Sequence, residues 1–417
     1  MIDITLIRNN IKDVSKQLAK RVDVSTLDLE GILKLDDERK KILHAAESLK
    51  AERNQGSKVK PDKKTIERMK NIGEEIKTLE GKLLRVEEQL KEKMAALPNI
   101  PDSDVPSGGK ENNRVEQVGG KKPEFTFEPK DHVELAESLG IIDYKRAVKM
   151  SGTGFWAYLG LGAELEWALM NYFVDFHRKN GYTFLIPPFL LTEQSAYTSG
   201  HLPKYRDDLF WTQDKLCLNA TSEMMLGNYY RDEVLSSDEL PKKYYAYSTC
   251  FRREAGSYRK EERGMIRGHQ FNKIEMFQFT RPENSREAFD ELVKNAESLV
   301  QGLGLHFQTV LLAAGDASAA MAKTVDIEVW IPSMGIYKEA SSVSNATDYQ
   351  ARRGSIRFKN PQTGKNEYVH TLNGSGLATS RLVPAILEQF QQEDGSVNIP
   401  KILWPYMNGQ KILTNKI

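Results

Sequence analysis

The sequence predicts an α+β protein, a mostly antiparallel sheet with packed helices, preceded by an N-terminal antiparallel helical hairpin. Three observations carry this reading. Residues 27–97 hold a heptad-like apolar seam, strand-length β-rich runs recur beyond residue 124, and no βαβ alternation links those runs.

The hairpin comes first. Ile32, Leu35, Ile42, Ala46 and Leu49 step by threes and fours. After a break at 54–61, which contains Gly56 and Pro61, a second series runs Met69, Ile72, Ile76, Leu79, Leu83, Val86, Leu90 and Leu97. Each helix would extend about 45–55 Å at 1.5 Å per residue. Lys50, Arg53, Lys58, Lys60, Lys63, Lys64, Arg68 and Lys70 crowd the turn end against only Glu52, Asp62 and Glu67. A solvated coiled-coil surface carries such charge, and so does a lever that reaches a phosphate backbone. Charge alone leaves both readings open.

Pro98 and Pro101 end the second helix. Residues 1–105 therefore form a helical unit, 106–123 with Gly108-Gly109 and Gly119-Gly120 read as a linker, and 124–417 form the body. A helix is expected over 163–180. The apolar stretch 182–191, interrupted by Pro187-Pro188, suits an edge or interface strand. Strands follow near 215–219, 244–253, 271–280, 306–311, 325–331 and 336–341.

Composition excludes several classes. Lys+Arg number 59 and Asp+Glu 58, so any nucleic-acid partner must be met by a local patch. Cys217 and Cys250 are the two cysteines, far apart in sequence, which argues against a disulfide framework and a thiolate zinc site. The start MIDITLIRNN has no apolar leader core, and no apolar run approaches the ~18 residues of a membrane span, so a cytoplasmic protein is expected. Neither a Walker loop nor G-x-G-x-x-G is present.

The chemistry concentrates in Arg252-Arg253-Glu254 and, after a Gly-bearing loop, Arg267-Gly-His-Gln-Phe271-Asn-Lys-Ile-Glu275. Arginines grip phosphates through planar forks, and a ring offers a flat face to a base. Period 2 places Arg267, His269, Phe271, Lys273 and Glu275 on one strand face. A charged hairpin would also account for an isolated R-x-E. The two halves together describe a face for a nucleotide beside a small polar substrate.

Three blocks then stand in order: Gly181 to Pro188, Arg252 to Glu275, and Asn373-Gly374-Ser375-Gly376-Leu-Ala-Thr-Ser-Arg381, which reads as the opening of a helix. They resemble motifs 1, 2 and 3 of the class II aminoacyl-tRNA synthetases. With Thr221-Ser222-Glu223, Glu339-Ala340-Ser341-Ser342 and the helical arm, the chain resembles the bacterial-type seryl-tRNA synthetases over nearly its whole length. The resemblance implies a class II catalytic domain over 124–417 with a tRNA-binding arm before it. It implies ATP, L-serine and Mg²⁺ as ligands, no zinc, tRNA(Ser) as acceptor with tRNA(Sec) as a further one, and a homodimer.

It also implies roles. Arg252 would hold the α-phosphate and the serine carboxylate, and Arg381 the γ-phosphate; these are the candidate catalytic residues. Arg253, Glu254, Phe271, Glu339, Ala340, Ser341 and Ser342 complete the ATP-binding set, with Phe271 under adenine and Glu254 on its amine. Arg253, by alternation, points away from the Arg252 face. Glu339 and Ser342 would hold Mg²⁺. Thr221, Ser222 and Glu223 would meet the α-amino group, and Glu275, Asn373 and Ser375 the rest of serine, with Glu275 on the hydroxyl. Glycines beside Ser375 would let substrate approach closely. The eight basic residues of the turn end would contact tRNA.

Departures from the family pattern fall at Arg253, Ser222, Ala340, Ala378 and Ser380, and none removes a charge that the chemistry needs. Asp326 and Glu328 share a strand face and read as a hydrogen-bond network in preference to a metal pair. His201 and His269 read as loop or supporting residues. The rival readings are a ligase that charges a carrier protein, a threonyl-specific relative, and a non-catalytic RNA-binding scaffold. The arm argues against the first and the lack of a Cys/His zinc set against the second. Retention of Arg252, Glu254, Glu275, Glu339 and Arg381 argues against the third.

Overall fold

A computed structural model of the chain describes residues 1–56, 62–255 and 264–415. It divides into two compact units, residues 1–100 and 101–417.

In the first unit, α1 (Ile4–Asn9) and α2 (Ile11–Leu18) precede the long helices α3 (Leu29–Gly56) and α4 (Lys63–Ala96). Asp62 starts α4 by accepting from the Thr65 amide at 2.7 Å, as a helix N-cap does. The seam is real: Ile32 and Ala46 of α3 and Ile72, Ile76 and Val86 of α4 are buried. Ion pairs tie the two helices antiparallel, Lys93 to Asp28 at one end and Arg68 to Glu52 at the other. Lys50 pairs with Glu80 at 2.7 Å. Two of the basic turn-end residues are thus already engaged by carboxylates. Lys50, Arg53, Lys63, Lys64, Arg68 and Lys70 are all exposed, while Lys58 and Lys60 lie outside the described residues.

The second unit is built on an eight-stranded sheet. Its strands are β1 (Arg114–Gly119), β2 (Thr183–Leu185), β3 (Lys242–Phe251), β4 (Gln270–Thr280), β5 (Phe307–Leu311), β6 (Lys323–Ile331), β7 (Ile336–Thr347) and β8 (His370–Ala378). The spatial order is β1-β5-β6-β7-β8-β4-β3-β2. Within this sheet every described pairing is antiparallel except β2 with β3, which is parallel and lies at the edge. Pro187 and Pro188 follow that edge strand, where a missing amide donor costs no ladder bond.

Two expectations change here. The stretch read as a linker contains β1, which pairs with β5 from Arg114↔Leu311 to Gly119↔Phe307. All but one of its residues are exposed, so no alternation marked it as a strand. The stretch 373–378 does not open a helix; it belongs to β8, between β7 and β4, and the helix α8 starts at Thr379.

Helices α5 (Leu161–Lys179), α7 (Ser285–Gly302) and α8 (Thr379–Gln389) pack on one face of the sheet. Ile274, Met276, Val343, Leu372 and Leu377 from the strands share a core with Leu169, Phe173, Leu292, Leu299 and Leu382 from the helices. The alternate residues of the same strands face the other way, and there the site is built.

Candidate active site

A cavity of about 450 Å³ opens on the face opposite these helices. Its floor is made by every second residue of three neighbouring strands: Lys273 and Glu275 of β4, Asn373 and Ser375 of β8, and Ser342 and Ser344 of β7. Ser375 lies directly across from Glu275 in the ladder. Thr221 and Glu223, at the start of the short helix α6 (Glu223–Leu226), close one side, and Arg252, Glu254 and Arg267 another.

Glu339 and Ser342 are three residues apart, an odd interval that a regular strand would send to opposite faces. A bulge resolves this. Ile327 pairs with Ser341 but Glu328 pairs with Glu339, so Ala340 is the extra residue. The parity shifts, and both oxygen-bearing side chains reach the cavity.

Glu275 is the most densely held group. Its Oε1 accepts from Asn373 Nδ2 at 3.0 Å, and its Oε2 takes an ion pair from Lys273 and longer contacts from Thr221 Oγ1 and Ser375 Oγ, each at 3.4 Å. Glu223 is buried and accepts from Gln350 Nε2 at 2.7 Å. Burial, and then the charge of Glu275, push its carboxyl up to about 7. Arg252 donates from Nε to the Ala220 carbonyl at 3.2 Å, and its guanidinium lies 5.2 Å from the centre of the Phe271 ring. Glu254 sits at φ +51 and is ion-paired with Arg267.

Two family models match this chain: the seryl-tRNA synthetase N-terminal domain over residues 1–101, and the class II tRNA synthetase core domain (G, H, P, S and T) over 208–390. Serine--tRNA ligase 2 of Clostridium acetobutylicum is 53% identical, with 99% of this chain and 100% of that protein covered. The chain belongs to the seryl-tRNA synthetase family. The family makes it an ATP-dependent aminoacyl-tRNA ligase. The serine--tRNA ligase of Desulforapulum autotrophicum is 44% identical with full coverage of both chains. Among solved structures, the seryl-tRNA synthetase of Pyrococcus horikoshii complexed with ATP superposes with a TM-score of 0.93 at 35% identity, again over the whole of both chains.

Of the residues singled out in this synthetase's sequence, the fold brings Thr221, Glu223, Arg252, Glu254, Glu275, Glu339, Ser342, Asn373 and Ser375 to the cavity wall. It does not bring Ser222, Arg253, Phe271, Ala340, Ser341 or Arg381 there. Ser222 Oγ instead donates to Ser248 Oγ at 2.8 Å, and Ser341 Oγ to the Ser375 carbonyl. Both are buried beneath the site. The Arg253 amide donates to the Asp208 carbonyl at 2.9 Å, so its backbone anchors the segment that carries Arg252 and Glu254. Arg381, in the first turn of α8, donates to Ser380 Oγ at 3.3 Å. Part of the loop between Glu254 and Arg267, residues 256–263, lies outside the described residues.

Some placements correct the sequence reading. A Cβ on Gly374 would meet Val343, and one on Gly376 would meet His177 Nε2 at 2.3 Å. These glycines serve close packing on the helix-covered face, not substrate approach. His201, read as a loop or supporting residue, lines the cavity with Nδ1 2.9 Å from Ser199 Oγ. Burial, with Arg252 next, holds its ring well below the usual imidazole range, at about 3, so it stands there neutral. His269 does act as support, its Nδ1 3.0 Å from the Arg252 carbonyl. Glu328 accepts from Gln308 Nε2 at 2.6 Å, as a network member would.

Sequence reasoning placed Lys273 on the site face but gave it no role, and it missed Glu166. Glu166 is buried in α5 and holds Asn272 Nδ2 at 2.9 Å and Thr379 Oγ1 at 2.6 Å, linking that helix to β4 and α8. Glu166 falls among the apolar positions Leu165, Leu169 and Phe173 of 161–179, and that was the available signal.

Proposed function

We infer that this cavity condenses L-serine with ATP and that the enzyme then passes the seryl group to tRNA(Ser). The observation that carries the reading is the set of polar groups around Glu275. Such a set pairs with a small hydroxylated amino acid and would be left unpaired by alanine. In the first step the serine carboxylate attacks the α-phosphorus and pyrophosphate leaves. In the second, a terminal ribose hydroxyl of tRNA attacks the serine carbonyl and AMP leaves. Serine's carboxylate is already an anion, so no side chain has to remove a proton in the first step.

Glu223 meets the ammonium and Glu275 the side-chain hydroxyl. Arg252 neutralises charge that accumulates at the α-phosphate, and its fork suits both that phosphate and the serine carboxylate. Phe271 gives the adenine a flat face, Glu254 addresses the adenine amine, and Arg381 holds the γ-phosphate. Glu339 and Ser342 fit Mg²⁺: both are hard oxygen donors on one wall, and Asp326 Oδ1, buried across the ladder from Ser342, has no hydrogen-bond partner among the described residues. When bound, the ion draws charge from the phosphates.

Residues 1–100 serve as the tRNA-binding arm, with Arg53, Lys63, Lys64 and Lys70 as phosphate contacts. The enzyme works as a homodimer, with α5 and β2 at its interface. Trp167 (57% exposed), Phe184 (40%) and Ile186 (71%) are large apolar groups left open on those segments. Among the described residues no helix is long and apolar enough to cross a membrane, which fits a reaction in the cytoplasm. ATP–pyrophosphate exchange measured with each of the twenty amino acids tests the reading. Serine alone should support fast exchange; another amino acid doing so in its place would overturn it.

A further inference from the structure

Lys273 is a buried ammonium on the cavity floor, one strand step of two residues from Glu275. Burial of a lysine is costly unless its charge is met. Here it is met twice. Its Nζ ion-pairs with Glu275 Oε2 and donates to Thr221 Oγ1 at 2.6 Å. Thr221 Oγ1 also accepts from the Glu223 amide at 3.3 Å, which uses its second lone pair. The Thr221 proton is therefore left to point towards Glu275 Oε2, 3.4 Å away. The Thr221 hydroxyl is thus committed to the protein, which leaves Asn373 Oδ1 and the cavity's carboxylates to accept substrate protons. One of these carboxylates, Glu275, is held in place by Lys273 on one oxygen and Asn373 on the other.

We propose that Lys273 is a specificity-determining residue of this synthetase. Its ammonium fixes the Glu275 carboxylate and the Thr221 hydroxyl, so that the pocket presents an immobile acceptor to the amino-acid side chain. A substrate that brings a hydroxyl proton satisfies that acceptor. Alanine, which brings none, leaves the second lone pair of Oε1, whose one partner among the described residues is Asn373, desolvated and unmet. Without Lys273 the carboxylate keeps Asn373 on Oε1, but Oε2 loses its charged partner and can turn towards water, and the cost of leaving the acceptor unmet falls. The inference rests on the reading of this cavity as the serine site.

The test is Lys273→Met in the full-length enzyme, measured by ATP–pyrophosphate exchange with serine and with alanine and by the KM for ATP. Lys273→Met should lower kcat/KM for serine on the order of 100-fold, mostly through KM, and that for alanine far less. The serine-to-alanine ratio should fall by ~10-fold or more while the KM for ATP stays within about twofold. A ratio equal to wild type, or equal losses for serine and ATP, would make Lys273 a structural counter-charge and overturn the proposal. If thermal melting shows that the Met variant does not fold, Lys273→Gln carries the test. It keeps two N–H donors without charge and should raise the serine KM alone; an unchanged serine KM overturns the proposal. Glu275→Gln separates the two levels. If it leaves discrimination intact, the serine-site reading fails. If it loses discrimination while Lys273→Met keeps it, only the role of Lys273 fails.

Discussion

The position of Glu223 predicts a pH profile for serine use. Its carboxyl is buried, close to Glu275, and raised to about 7, while Gln350 supplies one neutral hydrogen bond. Serine's ammonium binds the ionised form. In the free enzyme a carboxyl at about 7 is ionised in about a tenth of molecules at pH 6 and about nine-tenths at pH 8. The sign follows: kcat/KM for serine should rise with pH, by about tenfold between pH 6 and pH 8, because kcat/KM reports groups of the free enzyme. The KM for ATP should not follow the same curve, since Glu223 meets the amino acid. Exchange kinetics at subsaturating serine across this range measure the profile, and Glu223→Gln supplies the control. It should flatten the limb at a reduced level. A wild-type profile that is flat from pH 6 to 8, or a limb that persists unchanged in Glu223→Gln, would refute the assignment of Glu223 to the ammonium.

Other substitutions divide the site by function. Arg381→Ala should slow exchange by about 100-fold or more for every amino acid tested, because it acts on ATP; wild-type exchange would remove it from that role. Glu339→Gln should weaken the Mg²⁺ dependence of exchange, seen as a higher Mg²⁺ concentration for half-maximal rate, and an unmoved midpoint would place the ion elsewhere. Removing residues 27–97 with a short linker should leave serine-dependent exchange within a few-fold and abolish most transfer to tRNA. Equal aminoacylation by the shortened chain would make the arm a scaffold. Aminoacylation by the intact enzyme should also weaken as salt rises, as phosphate contacts release counterions.

What could be read from sequence followed periodicity. The seam from Ile32 to Val86 and the paired positions Lys273 and Glu275 were visible because 3.6 and 2.0 residue repeats need no tertiary information. What was hidden depended on neighbours. Strand β8 carries Gly374 and Gly376, which read as the opening of a helix until Val343 and His177 are seen to occupy the space a Cβ would take. Strand β1 is an exposed edge with no buried side to alternate. The burial of Lys273 could not be inferred at all, since an exposed lysine and one clamped by Glu275 and Thr221 look alike in a strand pattern.

The bulge at Ala340 shows why the site sits where it does. A two-sided sheet commits alternate residues to opposite tasks, and here Met276 and Val343 go to the helices while Glu275 and Ser342 go to the cavity. Glu339 would fall on the wrong side of that division if Ala340 were paired like its neighbours and the strand were regular. Inserting one residue between Ile327 and Glu328 would give Ala340 a partner, restore regular pairing and turn the Glu339 side chain away from the cavity. The ladder itself would survive, because antiparallel pairing with β6 continues on both sides of the bulge. Exchange activity should therefore collapse with little change in secondary structure by circular dichroism. An insertion variant that keeps its Mg²⁺ dependence would show that Glu339 reaches the phosphates by another route. A variant that unfolds would show that the bulge bears on packing as well as on aim.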